Sequence, residues 1–212
     1  MNRTIRYVTI LICTLIGGLT ASARYTVVDA FKRASVPAMP LLTESTRLDM
    51  VDYFRAGKEE HTEQNALGGA SRITRLDTDY MTLQLGESER IDMFLLPTAS
   101  DTIIGVIQTL NTPTPDSSLK LYNRNWERLR GLEEPTLADW LSAAGKKQRQ
   151  AVEQTVGFVL ASYAYNPETH RLTLTNHSTE WLDKEAAATI TPLMLTEITY
   201  EWNRHGFKRI NN

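Results

Sequence analysis

Asp79-Tyr80-Met81-Thr82-Leu83-Gln84-Leu85 decides the reading of this chain, because it alternates without a break. Successive side chains of a strand point to opposite faces, so Met81, Leu83 and Leu85 share one face while Tyr80, Thr82 and Gln84 share the other. The pattern predicts a strand in a sheet covered on one side. Gly86-Glu87-Ser88-Glu89 supplies turn residues, and Ile91, Met93 and Leu95 resume the alternation until Pro97 ends it, since proline cannot donate to a ladder. Thr102–Leu110 is apolar on both faces and rich in β-branched residues, which predicts a central strand. A loop with two prolines over 111–118 leads to a shorter strand with Leu119 and Leu121. The whole of Ser71–Asn123 therefore reads as an antiparallel β-meander.

Upstream, Arg3 and Arg6 precede an apolar run from Tyr7 to Leu19 and the small triplet Ala21-Ser22-Ala23. This is the grammar of a secretory signal over residues 1–23, and the run falls short of the roughly 20 residues that span a bilayer. Cys13, the one cysteine, lies inside it, and Ile10-Leu11-Ile12 lack the small residue that a lipoprotein signal needs. The expected mature chain, 24–212, has no thiol and no disulfide, so its stability must come from a core. Loss of Arg3 and Arg6 takes the formal charge from −2 to about −4, which argues against nucleic acid and anionic membrane as partners. The expected setting is periplasmic or secreted, with no transmembrane segment after cleavage.

Val27, Val28 and Phe31 form a short helical face that ends before Pro37 and Pro40. In the next helix Thr46 caps the first turn, Leu48, Val51 and Phe54 make the buried stripe, and Gly57 suits the C-terminal cap. Lys58–Asn65 reads as a polar mobile stretch, and Leu67-Gly68-Gly69-Ala70 as a flexible joint without the lysine and serine of a phosphate loop.

Three stretches carry a family resemblance: Pro-Leu-Leu-Thr-Glu-Ser-Thr-Arg-Leu-Asp-Met-Val-Asp-Tyr-Phe from Pro40, Leu-Gly-Gly from Leu67, and Asp-Thr-Asp-Tyr-Met-Thr-Leu-Gln-Leu from Asp77. Together they resemble a family of uncharacterised secreted proteins of Bacteroidales-type bacteria, a domain of unknown function. The resemblance implies an exported setting and says nothing of substrate.

In the second half, Pro135 and Thr136 open a helix with Asp139 three residues on, Leu137, Trp140 and Leu141 on one face and Gly145 as its stop. Gln154–Tyr165 reads as a long strand, Asn166–Thr169 as a turn, Arg171–Thr175 as its return and Trp181–Ala188 as a short helix. In the last strand Ile198, Tyr200 and Trp202 share a face. Helix followed by antiparallel strands thus occurs twice. The fold class is α+β: antiparallel meander sheets with short helices packed on one face, as one continuous domain over 24–212 or as two similar halves, 24–130 and 131–212.

No constellation commits to a chemistry. Asp49 and Asp52 lie on neighbouring helical turns, where a helix N-terminus favours acids anyway. Asp77 and Asp79 suit a turn, and the twelve-residue calcium loop is absent. Glu87 with Glu89, and Glu133 with Glu134, sit where surface charge is expected. His61, His170, His177 and His205 lack zinc-ligand spacing, and an odd offset puts His170 and His177 on opposite faces. No nucleophile elbow surrounds Ser88, so a serine triad would have to be assembled from unmarked residues. Trp126, Trp181 and Trp202, with Tyr122 and Tyr200, either line a carbohydrate or peptide groove or belong to the core, and the core is the commoner place. Asn176-His177-Ser178 reads as a turn. No residue is assigned as catalytic, cofactor-binding or metal-binding. The function expected is an exported non-catalytic binding or interaction module for an unidentified protein, peptide or glycan; the alternative is an envelope- or glycan-directed hydrolase acting through unmarked carboxylates.

Overall fold

The alternating stretch becomes the middle of a seven-stranded antiparallel sheet in which every strand pairs with its sequence neighbour. A computed structural model describes residues 24–111 and 113–210. The expected signal, residues 1–23, lies outside the described residues. The strands are β1 (Glu63–Gln64), β2 (Ala70–Leu76), β3 (Tyr80–Gln84), β4 (Glu89–Pro97), β5 (Thr102–Leu110), β6 (Asp116–Tyr122) and β7 (Arg128–Leu129). A second antiparallel sheet holds β8 (Ala161–Asn166), β9 (Arg171–Asn176), β10 (Glu197–Trp202) and β11 (Phe207–Ile210), in the order β11-β10-β9-β8. The architecture is α+β, with antiparallel sheets of seven and four strands and a few short helices.

Met81, Leu83 and Leu85 are buried together, joined by Ile91, Met93 and Leu95 of β4 and Ile104 and Val106 of β5. Helices α1 (Val27–Lys32) and α2 (Glu44–Arg55) cover this face. The opposite face is covered as well, which corrects the one-sided reading: Tyr80, Phe94, Leu96, Ile107, Leu119 and Leu121 are buried against the second sheet. In β4 every residue from Ile91 to Leu96 is therefore buried. Phe94 lies flat on Tyr165 at 3.9 Å between ring centroids, and Gly105 is paired opposite Phe94, where a β-carbon would sit 2.2 Å from the ring.

The two sheets are joined by side chains at one margin. The amides of Ala161 and Tyr163, on the edge strand β8, donate to Asp116 Oδ1 at 3.3 Å and to Ser117 Oγ at 3.0 Å on β6. An edge strand would otherwise expose a row of unpaired amides. At another point the Trp202 indole donates to the carbonyl of Pro97 at 2.7 Å.

Local chemistry shifts several expected boundaries. Thr43, one turn ahead of Thr46, caps α2, and Gly57 at φ 72° closes it as expected. Arg47 joins Met50 and Val51 in the buried stripe, with Leu48 and Phe54 only partly covered. The Arg47 guanidinium donates to the carbonyls of Leu42 (2.6 Å), Ala34 (2.9 Å) and, more weakly, Lys32 (3.4 Å), the last residue of α1, and a helix C-terminus suits a cation. Residues 63–70 form the β1–β2 hairpin rather than a mobile stretch and a joint, because buried Asn65 accepts from the amides of Leu67 and Gly69 and donates to Ser71.

After Pro135 the chain makes only a 3-10 turn, η1 (Leu137–Trp140), and Gly145 is no stop. It lies buried inside α3 (Ala143–Lys147), pressed against the carbonyl of Leu193 in η2 (Thr191–Leu193). Gln154 and Thr155 finish α4 (Arg149–Thr155) instead of starting a long strand, because buried Val152 anchors that helix and the Arg149–Glu153 pair spans one of its turns. Strand structure begins only at Ala161. The last helix, α5 (Lys184–Ile190), is capped by Asp183, which accepts from Glu185 and Ala186.

Candidate functional site

A cavity of about 1000 Å³ opens between η1 and α3 on one side and β10 and β11 on the other. Its apolar floor is Leu141, Leu195 and Ile198, and its polar wall carries Lys146, Lys147, Arg209 and Glu197. Its size is at the upper end of the roughly 300–1,000 Å³ usual for ligand clefts. Three contacts hold the walls in place: Ser142 N donates to Leu193 O (2.9 Å), Leu195 N to Trp140 O (2.6 Å), and Leu141 bridges Met194.

The charges in this groove are unequal in freedom. Asp139 Oδ2 accepts from the amide (2.8 Å) and hydroxyl (2.7 Å) of Thr136, and these bonds hold its carboxyl below the ordinary carboxylate value. Arg209 donates to the Asp139 carbonyl at 3.2 Å and stands 3.9 Å from its carboxylate. Lys146 and Lys147 form no ion pair among the described residues. Beside them runs β11, whose backbone bonds to β10 on one side and to no further strand among the described residues.

Most candidates from the sequence stay apart. Asp49 and Asp52 face solvent from α2. Asp77 pairs with Arg75 and Asp79 with Arg24. Glu87 is exposed, Glu89 accepts from Gln108 at 2.7 Å, Glu133 pairs with Arg130, and Glu134 is exposed. The Ser88 carbonyl accepts the Asn111 amide beside the β4 hairpin. No group of three or more His, Cys, Asp or Glu side chains converges as metal ligands would among the described residues. Trp126, Trp202, Tyr122 and Tyr200 are buried core residues, the Trp126 indole donating to Ala30 O at 3.1 Å, whereas Trp181 is 49% exposed.

The histidines divide. His61 stacks on Tyr53 and bonds Glu63, His205 is exposed in the β10–β11 turn, and His170 bonds the Tyr165 hydroxyl at 2.8 Å. His177 is different. Its ring bonds Ser162 and Glu180 at once, an arrangement that the sequence reading left unassigned. Its partner Ser162 and the His170 partner Tyr165 project from opposite faces of β8, so the two rings lie apart, in keeping with the odd offset.

The family model described as "Protein of unknown function (DUF3256)" matches residues 25–207. The chain belongs to that family. The DUF3256 match runs from the residue before the α1 cap to the first residue of β11, so it takes in both sheets. A solved structure of a domain of an uncharacterized protein from Porphyromonas gingivalis W83 is similar in fold, with a TM-score of 0.75 at 20% identity. The match covers 88% of this chain and 98% of that one. No curated protein matches. Among the described residues no helix is long and apolar enough to cross a membrane.

Proposed function

We propose that this DUF3256 chain is an exported binding module, periplasmic or secreted, that holds an extended acidic peptide in the groove beside β11. The reading is carried by the groove itself: two lysines without ion-pair partners among the described residues stand beside a strand with a free edge. An extended peptide bonds its backbone to such an edge, and flanking side chains select its sequence. Export rests on the signal grammar of residues 1–23 and on the resemblance to secreted proteins. A carboxylate hydrolase has less support. A general acid needs a raised pKa, whereas Asp139 is held below the ordinary value and is occupied in capping η1.

The test is an NMR titration of the protein with a hexaglutamate peptide, with hexalysine as control. Amide shifts of Lys146, Lys147 and Lys208–Ile210 are expected to move with the acidic peptide alone, and to stop moving in the K146E/K147E variant. Shifts scattered over the surface, or none, defeat the proposal.

A further inference from the structure

Outside the groove, one cluster of side chains is arranged for chemistry. Ser162 Oγ lies 2.8 Å from His177 Nε2, and His177 Nδ1 lies 2.6 Å from Glu180 Oε1. An ionised carboxylate only accepts, so Nδ1 carries the ring proton and donates it to Glu180. In the neutral imidazole Nε2 is then the lone-pair nitrogen, and Ser162 donates its hydroxyl proton to it. That tautomer, held by an acid on one side and facing a hydroxyl on the other, is what general-base activation of a serine requires.

The backbone fixes the three groups. Ser162 pairs with Thr175 in the β8–β9 ladder, and two residues out the His177 amide donates to the Leu160 carbonyl at 2.8 Å. The Leu160 amide donates back to Ser178 Oγ at 3.0 Å, and the Glu180 amide to the His177 carbonyl at 3.0 Å, which turns the chain so that Glu180 meets the ring at Nδ1. The His177 side chain is 15% exposed and Ser162 is half-buried, while the Glu180 side chain, 52% exposed, meets solvent. Two large apolar side chains lie in the adjoining segments without joining the core: Phe158, 61% exposed, on the approach to β8, and Trp181, next to Glu180.

We propose that Ser162, His177 and Glu180 hydrolyse esters whose acyl group is apolar, with Phe158 and Trp181 receiving that group. Ser162 Oγ attacks the ester carbonyl carbon as its proton passes to Nε2. The carbon–oxygen bond of the leaving alcohol breaks, and Nε2 returns the proton to that oxygen. Water then attacks the acyl-serine by the same route, which releases the acid and restores the serine. Water is the only co-reactant. Ser162 and His177 are catalytic residues, and Glu180 is a positioning residue.

The experiment treats the purified protein with a fluorophosphonate probe, maps the adduct by peptide mass spectrometry, and follows hydrolysis of p-nitrophenyl butyrate. The adduct is expected on Ser162, and hydrolysis to fall about 100-fold or more in both S162A and H177Q, the scale of a lost general base. E180Q, which preserves the packing, is expected to lower kcat and shift its pH profile, and W181A to raise KM with kcat little changed. An unlabelled Ser162, or hydrolysis unchanged in S162A, reduces the cluster to a structural tie between β8 and β9 and overturns the proposal. E180Q carries the test if S162A fails to fold: a folded E180Q with the wild-type rate and pH profile overturns it too. Neither result bears on peptide binding in the groove.

Discussion

Gly145→Ala sets local preference against packing, and the structure gives the sign. Gly145 lies inside a helix, where alanine is favoured over glycine by about 1 kcal/mol, so local preference alone predicts stabilisation. A β-carbon at that position, however, would lie 1.9 Å from the Leu193 carbonyl oxygen, while ordinary contact begins at 3.4 Å. The backbone of η2 must therefore retreat from α3 by about 1.5 Å. That stretches Ser142 N→Leu193 O from 2.9 Å beyond bonding range and pulls on Ser142 Oγ→Pro192 O, already 3.3 Å. Two hydrogen bonds at about 1 kcal/mol each, with strain of about 1–2 kcal/mol, give a loss of about 3–4 kcal/mol. The helix preference offsets about 1 kcal/mol of it, leaving about 2–3 kcal/mol of destabilisation. At roughly 2–4 °C per kcal/mol for a domain of this size, Tm falls by about 5–10 °C. Differential scanning calorimetry reads the shift, with Gly86→Ala, whose β-carbon meets nothing within 4 Å, as the control. A Gly145→Ala protein that melts at or above the wild-type temperature refutes the reasoning. Because Leu141, Ser142 and Leu195 line the groove, the variant is also expected to weaken the peptide titration.

Three further outcomes follow from contacts in the core. Gly105→Ala drives a methyl into the Phe94 ring, which Tyr165 backs at 3.9 Å; a loss of about 1–3 kcal/mol is expected in urea unfolding, with an altered near-UV dichroism signal. Arg47→Met keeps the stem and removes the guanidinium from Leu42 O and Ala34 O, leaving buried carbonyls unpaired; about 2–4 kcal/mol of destabilisation is expected, and Arg47→Lys recovers part of it. Burial pushes the Tyr80 phenol up to about 12 and raises Tyr163, Tyr165 and Tyr200 in the same direction. The unfolded chain therefore loses these protons first. Their contribution is fully present below pH 10 and is lost as pH rises toward the folded values. Chemical denaturation across pH 8 to 12 is expected to show a plateau and then a fall, and Tyr80→Phe to make the fall shallower.

How much of this was legible depended on whether a segment's neighbours were near in sequence. β3, β4 and β5 announced themselves because each packs on adjacent strands, so the alternation of Met81, Leu83 and Leu85 maps directly onto burial. The cover on the second face did not, since Phe94 and Leu96 meet Tyr163 and Tyr165 from a sheet about seventy residues further on. Gly145 looks like a helix terminator by composition, and only the position of Leu193 makes it an interior contact. Trp202 and Trp126 followed the ordinary preference of large aromatics for the core, and Trp181 did not. The groove is invisible locally because its two walls are some sixty residues apart. The Ser162–His177–Glu180 cluster did leave a trace. Counting outward from the Asn166–Arg171 pair at the β8–β9 turn sets Leu160 opposite His177, which brings the ring beside Ser162 on the same side of the hairpin.

The side-chain seam between β6 and β8 has a kinetic consequence. Each of the first seven strands pairs only with its immediate predecessor and successor, so that sheet closes short loops alone, and short-range topology folds quickly. The seam instead joins Asp116 to Ala161 and Ser117 to Tyr163, across spans of 45 and 46 positions, and its acceptors exist in register only once β6 has zipped onto β5. The early meander thus acts as a template onto which the later hairpins dock, and a chain still emerging from the ribosome reaches a half-finished state with an oily surface waiting for its lid.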